Sequence, residues 1–373
     1  MHIDAIEIFH VALALRQPLR TPRRAFDRLE TVLLRMQSGQ VSGWGEASPG
    51  NAPLAGPEWA AGVFACLRDW LAPAVRGATI DSGSELQERL ESFRGNRFAK
   101  AALDTAWWDL RARLQGQPLD QLLGAERRAV EVGVTFDQME STDEFLSAIG
   151  QAFQSGFARV KLKFRPGWDV YMVDAVRKEF PSETVHIDCE GALNLGHFEM
   201  LCRLDDFMLA MIEQPLADDD LVGHAMLQET VRTPICLDEG VSTVAQAEMA
   251  LELKSCKYMN LKPGRVGGLT PAVAIYDLCR AENVPCWVGA VPQSTIGARI
   301  SLALAAKANC TYPSDFFRCD QFLEEDLAEP LLPARDASDG KQRIALWSEP
   351  GLGVEPDPEL LRKYSVNQAR VAG

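Results

Sequence analysis

From about residue 130 onward, short apolar runs return at a nearly constant interval, and each is followed by a segment whose apolar positions have helical spacing. The runs begin near Val130 (VEVGVTF), Ala158 (ARVKLKF), Thr184 (TVHIDCE), Leu209 (LAMIEQP), Pro234 (PICLDEG), Lys257 (KYMNLKP), Val284 (VPCWVGA) and Asn309 (NCTYPSD), spaced by roughly 23 to 28 residues. Eight such βα units predict a closed parallel barrel. Helix starts fall where this scheme needs them. Ser141 with Glu144 and Thr243 with Gln246 read as capping boxes, and Thr270-Pro271 reads as an N-cap followed by proline at the first helical position. A dinucleotide-binding sheet would want G-x-G-x-x-G after its first strand, and none stands there.

The first 128 residues have a different pattern. Two or three strand candidates with a hairpin turn near Ser38-Gly39 give way to helical spacing from about Gly56 to Gln115. The expected organisation is an α+β domain over 1–128, a (β/α) barrel over 129–320 and a C-terminal segment over 321–373 that returns to the N-terminal sheet. Arg343 to Trp347 is the expected returning strand.

Composition narrows the function classes. The 373 residues are 47% hydrophobic, enough for a full core, and no apolar run approaches the ~20 residues that span a bilayer. Met1-His2-Ile3-Asp4 lacks the pattern of a secretory signal, so the expected location is cytoplasmic. A net charge of -14 and a pI near 4.9 argue against nucleic-acid and anionic-membrane partners. The nine cysteines form no C-x-x-C pair and sit in apolar segments, as reduced core residues would. Oligomeric state is not legible, and a homo-oligomer is compatible with such a chain.

Charged residues interrupt the apolar runs at their C-terminal ends, where barrels of this kind carry their chemistry. The second run ends with Lys161 and Lys163, the third with Asp188, the fourth with Glu213, the fifth with Asp238 and Glu239, and the sixth with Asn260 and Lys262. On an edge strand the two lysines would be solvated guards, and a single strand-end carboxylate would be a helix cap. Five consecutive strands with the same intrusion point to a site instead. Asp188, Glu213 and Asp238 lie on three neighbouring strands, and three oxygen ligands without histidine suit Mg²⁺ or Mn²⁺. Only five histidines exist and none forms a ligand-spaced pair, which disfavours zinc. His186 is expected one layer below Asp188 as a core residue. Lys163 and Lys262, on opposite strands, would face each other across the mouth. Desolvation and cationic neighbours are expected to lower the lysine pKa values towards those of general bases, for removing a proton next to a small-molecule carboxylate.

This set resembles the enolase superfamily, and most closely its o-succinylbenzoate synthase / N-acylamino acid racemase family. VKLKFRPGWD (160–169), IEQPL (212–216), CLDEG (236–240) and above all SCKYMNLKPGRVGGLT (255–270) carry the resemblance, with weaker echoes in GWGEASP, LDTAWWDL, FLEEDL and GLGVEPD. It implies Asp188, Glu213 and Asp238 as Mg²⁺ ligands, Lys163 as principal base, Lys262 as its opposite partner and Lys161 as an electrostatic helper. Glu239, Asn260 and Glu190 would stand around the ligands or face the substrate. The implied activity is o-succinylbenzoate synthase in menaquinone synthesis, with N-acylamino acid racemase, dipeptide epimerase or cycloisomerase as alternatives. The resemblance also implies that the N-terminal domain, 1–128, is a capping domain over the barrel that supplies substrate-selecting loops, through Pro18 to Arg24. Two stretches depart from the family pattern. Cys189-Glu190 follows Asp188 where Ala-Asn is usual, with Glu190 expected on the Asp188 face. Gly289 to Ser294 reads GAVPQS where relatives carry Gly-Gly-Met and a nearby Glu.

Overall fold

The computed structural model describes every residue except 21–24, Ala55 and Gly373, and only the backbone of Leu19 and Arg20. The N-terminal part is a four-stranded antiparallel sheet. Its order is Ser365–Ala372, Ala5–Arg20, Ala25–Ser38, Val41–Ala47, with a tight turn at Gly39-Gln40 joining the last two. Alternation along the second chain strand sorts the side chains to two faces. Val32, Leu34 and Met36 pack with Ile6 and Ile8 against helix Arg97–Leu114, whereas Leu29 and Leu33 join Trp44 on the side of the barrel core. The helix lies on Val41–Ala47 because Gly43 and Gly45 have no side chains. A Cβ at either position would come within 2.2 Å of the helix backbone.

The barrel shows seven parallel strands in sequential order: Val134–Phe136, Val160–Lys163, Val185–Asp188, Ile212–Glu213, Ile235–Leu237, Tyr258–Leu261 and Cys286–Val288. The eighth predicted run is not a regular strand. Residues 309–315 close the ring through two parallel bridges, Cys286 with Cys310 and Val132 with Ser314. Hydrogen bonds from Thr311 N to Cys286 O, from Asp315 N to Val288 O and from Gly133 N to Ser314 O stitch both edges. Pro313 in this segment has no N–H to give a ladder, which accounts for its irregularity.

Helix starts at Ser141 and Thr243 are as expected, each hydroxyl accepting the N–H of the residue three further on. Neither expected box closes, since the Glu144 and Gln246 side chains do not return to the N-cap N–H, and Gln246 Oε1 accepts from Ser242 N instead. The third start is corrected. Helix Leu269–Ala281 begins two residues earlier, behind Gly268 at φ 126, and the Thr270 N–H is taken by Asp104 of the cap. The returning strand is corrected as well. Gln342–Ala345 pairs with Ala129–Glu131 below the barrel, and the strand that completes the cap sheet is Ser365–Ala372. Pro18 belongs to the long strand Ala5–Arg20 rather than to a loop, and 21–24 lie outside the described residues. All nine cysteines are free, seven of them buried. Among the described residues no helix is long and apolar enough to cross a membrane.

Candidate active site

The polar residues at the strand ends meet inside the barrel mouth. Val160–Lys163 pairs in register with Val185–Asp188, which sets Lys163 beside Asp188, and Asp188 pairs in turn with Glu213. Both faces of the second strand are covered, so its lysines are inside rather than edge guards. Lys161 is 4% exposed, Asp188 3%, Glu213 0% and Asp238 1%.

Lys161 Nζ lies 3.3 Å from Asp188 Oδ2, 3.4 Å from Glu213 Oε2 and 2.7 Å from Asp315 Oδ2. Lys163 Nζ donates to Asp188 Oδ2 at 2.8 Å and to Glu190 Oε1 at 2.5 Å. Across the ring Lys262 Nζ donates to Asp238 Oδ2 at 2.6 Å, and Arg265 bridges Asp238 and Glu239. Asn260 donates to Glu213 Oε1 at 2.8 Å and accepts the Gly289 N–H, tying the fourth, sixth and seventh strands together. His186 is fully buried, as expected of a core residue, but it also touches the site through Glu213 Oε2 at 3.3 Å and Tyr312 Oη at 2.9 Å.

The electrostatics reverse one expectation. Burial pulls the Lys161 ammonium down, yet the Asp315, Glu213 and Asp188 carboxylates outweigh it and hold the pKa well above the ordinary lysine value. Lys163 behaves alike: burial is the largest single influence and lowers it, but the Asp188 and Glu190 carboxylates together outweigh burial and the Lys161 charge, and the net direction is up. The carboxylates expected to balance the lysines are their nearest neighbours, so each ammonium is stabilised instead of being driven to a free amine. Burial pushes the Asp188 carboxyl up, but Lys161 and Lys163 prevail and hold it at about 2. Asp238 is likewise held below the usual carboxylate range, by Arg265 and Lys262 against its burial. Glu213 goes the other way. Burial and the adjacent Asp188 charge raise it well above the usual value.

Glu190 lies beyond the strand end, at φ 49, so strand alternation does not govern it. Its backbone N–H donates to Asp188 Oδ1 and its half-exposed carboxylate still reaches Lys163. Gln214 is also left-handed, at φ 39, and fully buried. Its Oε1 accepts from Asp238 N at 2.9 Å and Gly240 N at 3.0 Å, which fixes the turn carrying Asp238 and Glu239. Sequence reasoning gave Gln214, Arg265, Arg159 and Asp315 no role. Asp315 carried the same signal as the others, a carboxylate at the end of an apolar run, but on the irregular eighth segment.

The donor set suits a hard divalent cation. Asp188, Glu190, Glu213, Asp238, Glu239 and Asp315 supply six carboxylates against the five cations of Lys161, Lys163, Lys262, Arg159 and Arg265. Glu239 Oε2 is buried without a hydrogen-bond partner. Among the described residues no three His, Cys, Asp or Glu side chains stand close enough to hold one ion together. The predicted convergence is therefore present in strand positions and interrupted at the oxygen atoms.

Two domain families match the chain. Residues 3–124 match the mandelate racemase / muconate lactonizing enzyme N-terminal domain, and residues 144–360 match the enolase C-terminal domain-like family. The o-succinylbenzoate synthase of Bacillus subtilis (strain 168) is 34% identical over 365 residues, 98% of this chain and 97% of that protein. An N-succinylamino acid racemase of an Amycolatopsis species is 36% identical over 97% of both chains. An unknown member of the enolase superfamily from Enterococcus faecalis V583 superposes with a TM-score of 0.92 at 32% identity over 99% of both chains. The chain is an enzyme of the enolase superfamily and belongs to its o-succinylbenzoate synthase / N-acylamino acid racemase family.

Proposed function

We propose that the protein is a Mg²⁺-dependent o-succinylbenzoate synthase, in which Lys163 removes the proton α to the carboxylate of a succinyl-hydroxycyclohexadiene carboxylate. The observation that carries this is Lys163 at the end of the second strand, paired with Asp188, and Lys262 just past the end of the sixth, paired with Asp238. As the C–H bond breaks, its electron pair enters the ring, the C–O bond to the hydroxyl breaks, and the departing hydroxide takes the proton that Lys163 removed and leaves as water, returning the lysine to its amine. Asp188, Glu213 and Asp238 would hold the divalent cation, which when bound supplies positive charge to the substrate carboxylate as its α-carbon loses the proton. Lys163, paired with Asp188 in this structure, would be the group that takes the proton, its amine made available if that carboxylate is engaged elsewhere. Lys161 and Lys262 remain as cations beside the developing negative charge. Menaquinone synthesis is the pathway that this product would feed.

A second reading is favoured by the same two lysines. A racemase of N-acylamino acids needs one proton carrier on each face of the α-carbon, and Lys163 and Lys262 meet that demand. The relative from Amycolatopsis bears that activity in its name. Proton NMR of the purified chain with Mg²⁺ and the cyclohexadiene carboxylate tests the first reading through the aromatic signals of the product. Absence of those signals, together with α-deuteration of N-succinylamino acids in D₂O, would move the assignment to the racemase.

A further inference from the structure

Lys161 is held more closely by a residue outside the Asp188–Glu213–Asp238 set than by any member of it. Its Nζ is 2.7 Å from Asp315 Oδ2, against 3.3 Å from Asp188 and 3.4 Å from Glu213. Asp315 is itself braced. Its Oδ1 accepts from Arg159 Nη2 at 2.5 Å and from Thr135 Oγ1 at 3.4 Å, and its backbone N–H is bonded to Val288 O on the seventh strand. Arg159 is completely buried and donates twice more to Pro313 O, at 3.2 and 3.1 Å. The Arg159 guanidinium and the Lys161 ammonium each lie 5.3 Å from the Trp287 ring centroid.

We infer that Asp315 is a positioning residue that pins Lys161 to the wall of the barrel formed by the eighth segment, keeping its ammonium from settling onto Asp188 and Glu213. This rests on the reading of Asp188 and Glu213 as cation ligands, and it deepens that reading by separating the duties of the two strand lysines. Lys161, clamped by the Arg159–Asp315 pair, is a fixed cation. Lys163, whose partners are Asp188 and the half-exposed Glu190, lies outside that clamp. A flexible ammonium between two carboxylates would compete with a divalent cation for the same oxygens, and the clamp prevents that competition.

Asp315→Asn breaks the clamp selectively. The amide carbonyl still accepts from Arg159, but an NH₂ group now faces the Lys161 ammonium where an acceptor stood. Mg²⁺ binding by calorimetry, without substrate, is compared for wild type, Asp315→Asn, Lys161→Met and the double variant. The expected result is an affinity about tenfold weaker in Asp315→Asn, and a double variant equal to Lys161→Met, because without Lys161 there is nothing left to position. Unchanged affinity in Asp315→Asn, or a double variant weaker than Lys161→Met by the same factor, overturns the inference. Should Asp315→Asn fail to fold, Asp315→Glu keeps the charge and takes its place, expected to bind within a few-fold of wild type. Failure of both to fold overturns the positioning role in favour of a purely structural one. Absence of any Mg²⁺ heat in the wild type withdraws the ligand reading, and this inference with it.

Discussion

Lys163 Nζ sits 2.8 Å from Asp188 Oδ2, in a pair formed because the second and third barrel strands run in register to their last residues. The proposed base is thus bound to a proposed cation ligand, and in that state it is an ammonium. Its reactivity then depends on what else the Asp188 carboxylate is doing.

The two lysines facing the α-carbon should be separable by substrate hand. In D₂O with N-succinylamino acids of one configuration, Lys163→Ala should abolish α-proton exchange for one enantiomer and Lys262→Ala for the other. Each loss should be on the order of 10² to 10⁴-fold. Equal effects of both variants on both enantiomers would remove the two-sided arrangement.

Asp238→Asn should weaken Mg²⁺ at least tenfold and abolish turnover while the barrel stays folded. Asp238 accepts from Lys262 and Arg265, and the asparagine oxygen retains one of these contacts. Circular dichroism and an Mg²⁺ titration together check this, and normal activity would sink the ligand assignment.

Gln214→Leu should lower stability by about 2 to 5 kcal/mol, since the N–H groups of Asp238 and Gly240 both lose a buried acceptor. Urea unfolding measures the loss. A change below about 0.5 kcal/mol, the size of an ordinary surface substitution, would show that the left-handed Gln214 is not the anchor of that turn.

Asp104 gives a pH dependence whose sign follows from its burial. It is fully buried at the seam between cap and barrel, accepting from Gln87 and Thr270, and burial raises its carboxyl from 3.8 to about 6. A carboxyl raised in the folded state opposes folding once the unfolded chain ionises. That cost is absent below about pH 4, grows between pH 4 and 6, and reaches about 3 kcal/mol above pH 6. The stability of wild type relative to Asp104→Asn should therefore improve by up to about 3 kcal/mol as pH falls from 7 to 4. A difference independent of pH would contradict the raised carboxyl.

Much of this site is legible in the chain because a parallel barrel covers both strand faces, so a lysine or aspartate in an apolar run has nowhere to go but inward. That reasoning finds Lys161, Lys163, Asp188, Glu213, Asp238, Asn260 and Lys262. It misses Asp315 because Pro313 spoils the eighth strand, and Arg265 because a residue beyond a strand end carries no periodicity. The direction of the lysine pKa values was illegible for a different reason. It depends on separations of about 3 Å between side chains far apart in sequence, such as Lys161 and Asp315. The strand Gln342–Ala345 was misassigned because alternation predicts a strand but not its partner.

The most direct test of the account compares initial rates of aromatic product formation from the cyclohexadiene carboxylate by wild type and Lys163→Ala at saturating Mg²⁺, followed by proton NMR. The expected result is steady production of succinylbenzoate by the wild type and a rate at least about 10³-fold lower in the variant, with its Mg²⁺ affinity retained. Equal rates in the two proteins would contradict the role of Lys163.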